Sequence, residues 1–267
     1  MPLLRRFLPT ALLVVPAMLS AQERQSNRTW TFNEVVPSGQ WVRVRNLNGD
    51  LRVRASSSDR VEITATKSWR RGDPSSVRIE TQKSSDGSVL ICAFWTENAT
   101  CTEDSYKSNS HNDGWRSGRD NDVAVDFEIR VPKGVKVGVY GVNGGVSVDG
   151  ASSEVRASTV NGSVDAVSNG GPVQASTVNG SVHATMGRFD SDQDLQYSSV
   201  NGSVVAEFAG DVDAEVDLST VNGRFLTDWP VTVSGRIDPR RLRATLGKGG
   251  RRIKMSTVNG NVEIRKR

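Results

Sequence analysis

Cysteine and histidine are scarce in this chain of 267 residues, with two of each. A zinc site of the common four-ligand Cys/His kind would consume all of them. Aromatic residues make up only 6%, against 25 glycines, a balance that points to a turn-rich β chain. Neither sign of charge dominates, since 34 Lys and Arg face 30 Asp and Glu. Beyond residue 21 no apolar run is long enough to span a bilayer as a helix. The 24% charged share is ordinary for a globular chain, so disorder is not the expected main state.

The longest apolar run lies at the start. Residues 1–21 read MPLLRRFLPTALLVVPAMLSA, with Arg5 and Arg6 ahead of an apolar stretch from Phe7 to Leu19 and small residues at Ser20 and Ala21. That order is a secretory signal peptide rather than a membrane span. No Cys follows Leu19, so lipid attachment at the cleavage site is not indicated. Cleavage removes two Arg and no acid, and the formal net charge of +4 falls to two. Such a balance implies no general polyanion binding and makes nucleic acid an unexpected partner. The expected location is exported: periplasm, cell surface or medium. In an oxidising compartment Cys92 and Cys101 are expected to pair as a disulfide pinning a short hairpin. Their spacing is not that of a redox CxxC motif.

What the chain has in abundance is self-similarity. Residues 155–166 read VRASTVNGSVDA and residues 173–184 read VQASTVNGSVHA. Further copies are LQYSSVNGSVVA from Leu195, VDLSTVNGRFLT from Val216 and IKMSTVNGNVEI from Ile253, with looser ones from Val137 and Val42. The central pairs are Asn143-Gly144, Asn161-Gly162, Asn179-Gly180, Asn201-Gly202, Asn222-Gly223 and Asn259-Gly260. Successive Asn are 18, 18, 22, 21 and 37 residues apart, and the last step leaves room for one degenerate copy. Counting from the Asn as zero, positions −6, −4, −1, +3 and +5 are almost all apolar, while −5 and +4 are mostly polar and vary. Alternation on both sides of the pair is strand periodicity, and Asn-Gly suits a sharp corner. Independent hairpins in a meander are one architecture for this pattern. Near-identical copies favour the other: coils stacked in register, with Asn over Asn in a hydrogen-bonded ladder and Val and Ala filling a thin core. The repeated Asn-Gly pairs are then structural corners, not ligands.

The run DFEIRVPKGVKVGVYGVNGGVSVDG (126–150), the STVNGSV copies, the closing IKMSTVNGNVEI and WVRVRNLNGDLRV near the start resemble the bacterial "putative adhesin" family of exported domains of unknown function. The resemblance covers nearly all the mature chain. It implies a right-handed β-solenoid in a cell-envelope or secreted protein, without established catalytic activity. The family offers no catalytic residues to carry over. The expected organisation is a signal peptide (1–21), an irregular β-rich region (22–131) with the disulfide hairpin and a polar loop (103–122), and all-β solenoid repeats (132–267), right-handed and β-helix-like. Five of the six Trp fall in the region before the repeats, with Trp115 alone in the polar loop, as an exposed contact or a tether.

Few constellations carry chemistry. Position +4 of three successive copies gives Ser147, Asp165 and His183, one outward column in an in-register stack. A nucleophilic triad needs His between the other two, and here Asp separates Ser from His. Asp211, Asp213, Glu215 and Asp217 alternate along one strand, with Val212, Ala214 and Val216 inward. They form either a solvated outer face or an oxygen-rich Ca²⁺ row. Asp190, Asp192 and Asp194 have the spacing of a Ca²⁺ loop, but Leu195 follows and the Gly of an EF-hand is missing. They are at most a loose metal site. Residues 236–254 carry Arg240, Arg241, Arg251 and Arg252 among eight basic residues and a single acid, Asp238. This segment either covers the end of the stack or contacts anionic lipid or acidic glycan. GKGG at 247–250 lacks the upstream Gly of a phosphate loop. No cofactor is expected. The leading expectation is a non-enzymatic exported binding or structural module whose partner is a glycan, an anionic envelope surface or a protein. The alternatives are a carbohydrate-active solenoid enzyme and an envelope-stress scaffold.

Overall fold

The computed structural model describes residues 28–107, 121–187, 193–233 and 238–267. The expected signal peptide, Trp115, Asp190 and Asp192 lie outside these residues, as does most of the 103–122 loop. The described chain is all-β apart from one short 3-10 turn at Pro74–Ser76. No helix among the described residues is long and apolar enough to cross a membrane.

Each repeat forms two strands on either side of its Asn-Gly corner. We number these units in chain order. Unit I is Trp41–Arg45 with Leu51–Ala55, II is Lys136–Tyr140 with Val146–Ala151, and III is Val155–Ser158 with Val164–Ser168. Unit IV is Val173–Ser176 with Val182–Met186, and V is Leu195–Ser198 with Val204–Phe208. Unit VI is Ala214–Ser219 with Phe225–Thr227, and VII is Arg251–Ser256 with Val262–Lys266. The seven strands entering the corners lie in one ten-stranded sheet, and the seven leaving lie in a second of ten. Pairing between units is parallel and like over like: Val155 lies beside Val173, Ala157 beside Ala175, and Val164 beside Val182. The chain therefore stacks its repeats rather than folding each as a hairpin.

Val89–Phe94 and Ala124–Val131 continue the parallel pairing beside unit I, and antiparallel strands follow them. Arg78–Lys83 and Val89–Phe94 extend the first sheet beyond unit I. Thr29–Glu34, Val61–Ser68 and Ala124–Val131 extend the second. One apolar core runs unbroken from Trp30 to Ile264 between the sheets. Positions −6, −4, +3 and +5 fill it, as at Val155, Ala157, Val164 and Ala166.

The apolar residue at −1 behaves otherwise. Val160, Val178, Val200 and Val258 are 37–39% exposed and Val221 is 50% exposed. The corner turns this side chain outward, because the neighbouring Thr or Ser at −2 takes the interior place. That residue is buried in every unit from III to VII: Thr159, Thr177, Ser199, Thr220 and Thr257.

The stack does not follow chain order at its C-terminal end. The Asn bridges run 48, 143, 161, 179, 201, 259 and then 222, so unit VII sits between V and VI. The 37-residue step expected to hold a degenerate copy instead holds a return strand, Arg241–Leu246. It pairs antiparallel to Ala214–Ser219 and forms the edge of the first sheet. Its cationic residues meet the acidic row of unit VI, which explains why this segment returns along that edge instead of adding another parallel unit.

Candidate functional site

The Asn-Gly corners are built as structural parts. Asn161 Nδ2 donates to Asn143 Oδ1 at 2.8 Å, and the same bond recurs from Asn179, Asn201, Asn259 and Asn222 to the Asn beneath each. The Gly is demanded by close approach. A Cβ on Gly162 would lie 2.1 Å from the carbonyl oxygen of Gly144, and one on Gly180 would lie 2.1 Å from that of Gly162. The hydroxyl at −2 closes the corner: Thr177 Oγ1 donates to Gly162 O at 2.7 Å, and Thr257 Oγ1 to Gly202 O at 2.8 Å.

Cys92 and Cys101 are joined in a disulfide with their Cα atoms 6.5 Å apart. The hairpin Thr100–Cys101 and Tyr106–Lys107 lies over the outer side of Val89–Phe94, where Leu90, Cys92, Phe94 and Cys101 form a small second core.

The acidic row is largely answered by its neighbours. Val212, Ala214 and Val216 are buried, with the carboxylates on the other side. Asp217 receives Arg241 Nε at 2.8 Å and Nη2 at 2.5 Å, with Arg243 Nε 3.6 Å away. These hydrogen bonds and charges hold the Asp217 carboxyl below its ordinary value, against the opposing pull of burial, and they raise the Arg241 guanidinium. Glu215 accepts from Thr245 Oγ1 at 3.0 Å, Asp213 from the Lys248 N–H at 2.8 Å, and Asp211 lies 3.2 Å from Lys266 Nζ. Among the described residues no cluster of three or more His, Cys, Asp or Glu could hold a metal ion. Asp194, the described member of its triplet, accepts from the backbone N–H of Arg252 at 3.0 Å.

The four candidate arginines do not form one patch. Arg241 pairs beside Ser219 and Arg251 beside Ala214, at opposite ends of the same strand. Five residues of strand separate the two positions by roughly 17 Å. The Ser147, Asp165 and His183 column is in register, with Asp165 between the other two. His183 Nδ1 lies 3.8 Å from Asp165 Oδ1, and its Nε2 lies 3.2 Å from Glu207 Oε1, a neighbour that the +4 spacing does not reveal.

The feature that sequence reading missed is a groove on the outer face of the first sheet. It has a volume of about 290 Å³ and runs across units III to V. Ser158, Ser176 and Ser198 form one file of its floor, and Arg156, Gln174 and Gln196 form the next. Tyr140 of unit II bounds one end, with the Arg45 guanidinium 4.3 Å over its ring. Burial lowers the Arg45 pKa from its ordinary value. Behind this end Trp41 is ringed by Arg43 at 4.7 Å, Arg156 at 4.8 Å and Lys136 at 5.5 Å. In unit VII, Lys254 and Ser256 continue the files beside Gln196 and Ser198. The signal was present in the repeats: Ser at −3 and a long polar residue at −5 point to one side of one strand. Their convergence into a groove needed the stack.

No family model matches the sequence, and no curated protein matches it. Among solved structures, the chain is similar to a putative cell adhesion protein from Clostridium sporogenes. The identity is 9%, the match covers 90% of this chain and 100% of that one, and the TM-score is 0.49. It is also similar to a putative adhesin from Bacteroides fragilis, at 10% identity over 91% and 98% of the two chains, with a TM-score of 0.27. Likeness at this level bears on neither the ligand nor the role of this chain.

Proposed function

We propose that the protein is an exported β-solenoid, right-handed like a parallel β-helix, that serves without catalysis as an adhesin-like binding or structural module of the cell envelope. The observation that carries the reading is the groove. The hydroxyls of Ser158, Ser176 and Ser198 and the amides of Gln174 and Gln196 face outward, with no side-chain hydrogen bond among the described residues. The hydroxyls at −2, by contrast, each close a corner. A face that repeats unused donors and acceptors at the strand spacing of about 4.8 Å offers an extended ligand the same contact several times. The leader-like residues 1–21 and the disulfide between Cys92 and Cys101 support export.

The test is expression of the full chain in a bacterial host, followed by fractionation. The expected product is outside the cytoplasm, begins at Gln22, carries the oxidised disulfide and associates with envelope material. It should hydrolyse or cleave nothing on a polysaccharide, peptide and ester panel, with or without Ca²⁺. Cytoplasmic retention would overturn export. Turnover that vanishes when Asp211, Asp213 and Glu215 become Ala would establish the enzyme alternative.

A further inference from the structure

The groove has electrostatic ends as well as a polar floor. Arg156 stands exposed at the Tyr140 end, its guanidinium 2.9 Å from buried Glu154, which also lies 3.7 Å from Lys136 Nζ. Lys254 stands exposed at the other end, beside Asp217 of unit VI, whose carboxyl it helps to hold below its ordinary value after Arg241 and Arg243. The strand register places Arg156, Gln174, Gln196 and Lys254 at matching positions of units III, IV, V and VII. Three steps of about 4.8 Å put the two cations roughly 14 Å apart along the stack. The carboxylates near this face are engaged: Glu154 with Arg156 and Lys136, Asp194 with the Arg252 N–H, Asp217 with Arg241 and Glu103 with Arg43.

Resting on the binding-module reading above, we propose that this groove binds an acidic polysaccharide segment laid along the stacking axis. Arg156 and Lys254 receive anionic groups of the polymer, while Ser158, Ser176, Ser198, Gln174 and Gln196 hydrogen-bond its hydroxyls. Hydroxyl and amide side chains each donate and accept, which matches sugar hydroxyls, themselves both donors and acceptors. An extended peptide fits less well. The backbone groups of the strands under the groove are used in the parallel ladder, so none there are left to pair with a peptide strand. Nucleic acid would call for open aromatic faces on which to stack, and Trp41 and Tyr140 are both covered by cations.

The experiment is titration calorimetry of the mature protein with short alginate oligomers, neutral dextran oligomers and poly-glutamate. Saturable alginate binding that weakens as salt rises is expected, with no binding of dextran or poly-glutamate. Arg156→Gln and Lys254→Gln should each weaken it about tenfold, the loss of one charge-assisted contact. Ser176→Leu, which fills the middle of the groove, should abolish it. Circular dichroism melts check that each variant is folded, and Lys254→Gln removes no partner of a buried group. Equal binding by folded groove variants would overturn the assignment, as would failure of the wild type to bind alginate or equal binding of poly-glutamate. If the groove variants still associate with envelope material in the fractionation assay, the binding-module reading stands and the groove does not carry it.

Discussion

At each corner one glycine and one hydroxyl decide whether two repeats can approach. The carbonyl of Gly162 occupies the space that a side chain on Gly180 would need, and Thr177 ties that same carbonyl from inside. Gly180→Ala should therefore force apart the backbones of units III and IV and cost about 2–3 kcal/mol. Asp165→Ala changes an exposed side chain of the neighbouring unit III and should move stability by no more than about 0.5 kcal/mol. Comparing the chemical-denaturation midpoints of the two variants checks this. Equal losses would mean that the corners, like the outer faces, tolerate substitution.

Strand Ala214–Ser219 shows how an element's charge pattern chooses its neighbour. Its inward Ala and Val side chains fill the core, while Glu215 and Asp217 face Thr245 and Arg241 of the return strand. A carboxyl held below its ordinary value on folding stabilises the protein above the unfolded pKa of about 4, and that contribution is lost as pH falls through the folded value. Asp217 is therefore stabilising at neutral pH and ceases to be so in acid. Asp217→Asn should lower the melting temperature at pH 7, by a free energy of at most about 1 kcal/mol after solvent screening. The gap between variant and wild type should close below about pH 4. A gap unchanged between pH 7 and pH 3 would show that the pair holds the strand by shape rather than charge.

The order of units at the C-terminal end is a property of the whole molecule. Unit VII contacts V on one side and VI on the other, and among the described strands Phe225–Thr227 pairs only with Val262–Lys266. Residues 251–266 are thus inserted between segments that precede them in the sequence. A chain ending at residue 250 should lose amide-exchange protection across Ala214–Ser219, Phe225–Thr227 and Arg241–Leu246 while units II to IV keep theirs. Protection retained at 214–219 would show that unit VI can stack directly on unit V.

Much of this was legible beforehand because a parallel stack repeats its environment. Each unit meets the same neighbour, so the same residue recurs at the same position, and alternation reads out inward and outward faces for the strands. The all-β class, the Asn ladder and the inward set Val212, Ala214 and Val216 follow from that local regularity, while the pairing of Cys92 with Cys101 followed from there being two cysteines in a chain expected to be exported. Alternation fails at the corner, where the backbone bends: Val160 and its equivalents turn outward, and Thr159 and its equivalents turn in. Only the tertiary structure decided that unit VII enters between V and VI, since repeats with nearly the same edge can pair in more than one order. It alone brought Arg241 onto Asp217 and aligned Ser158, Ser176 and Ser198 beside Tyr140. Such contacts join residues that share no local pattern, and their partners are chosen by charge and shape across the assembled sheets.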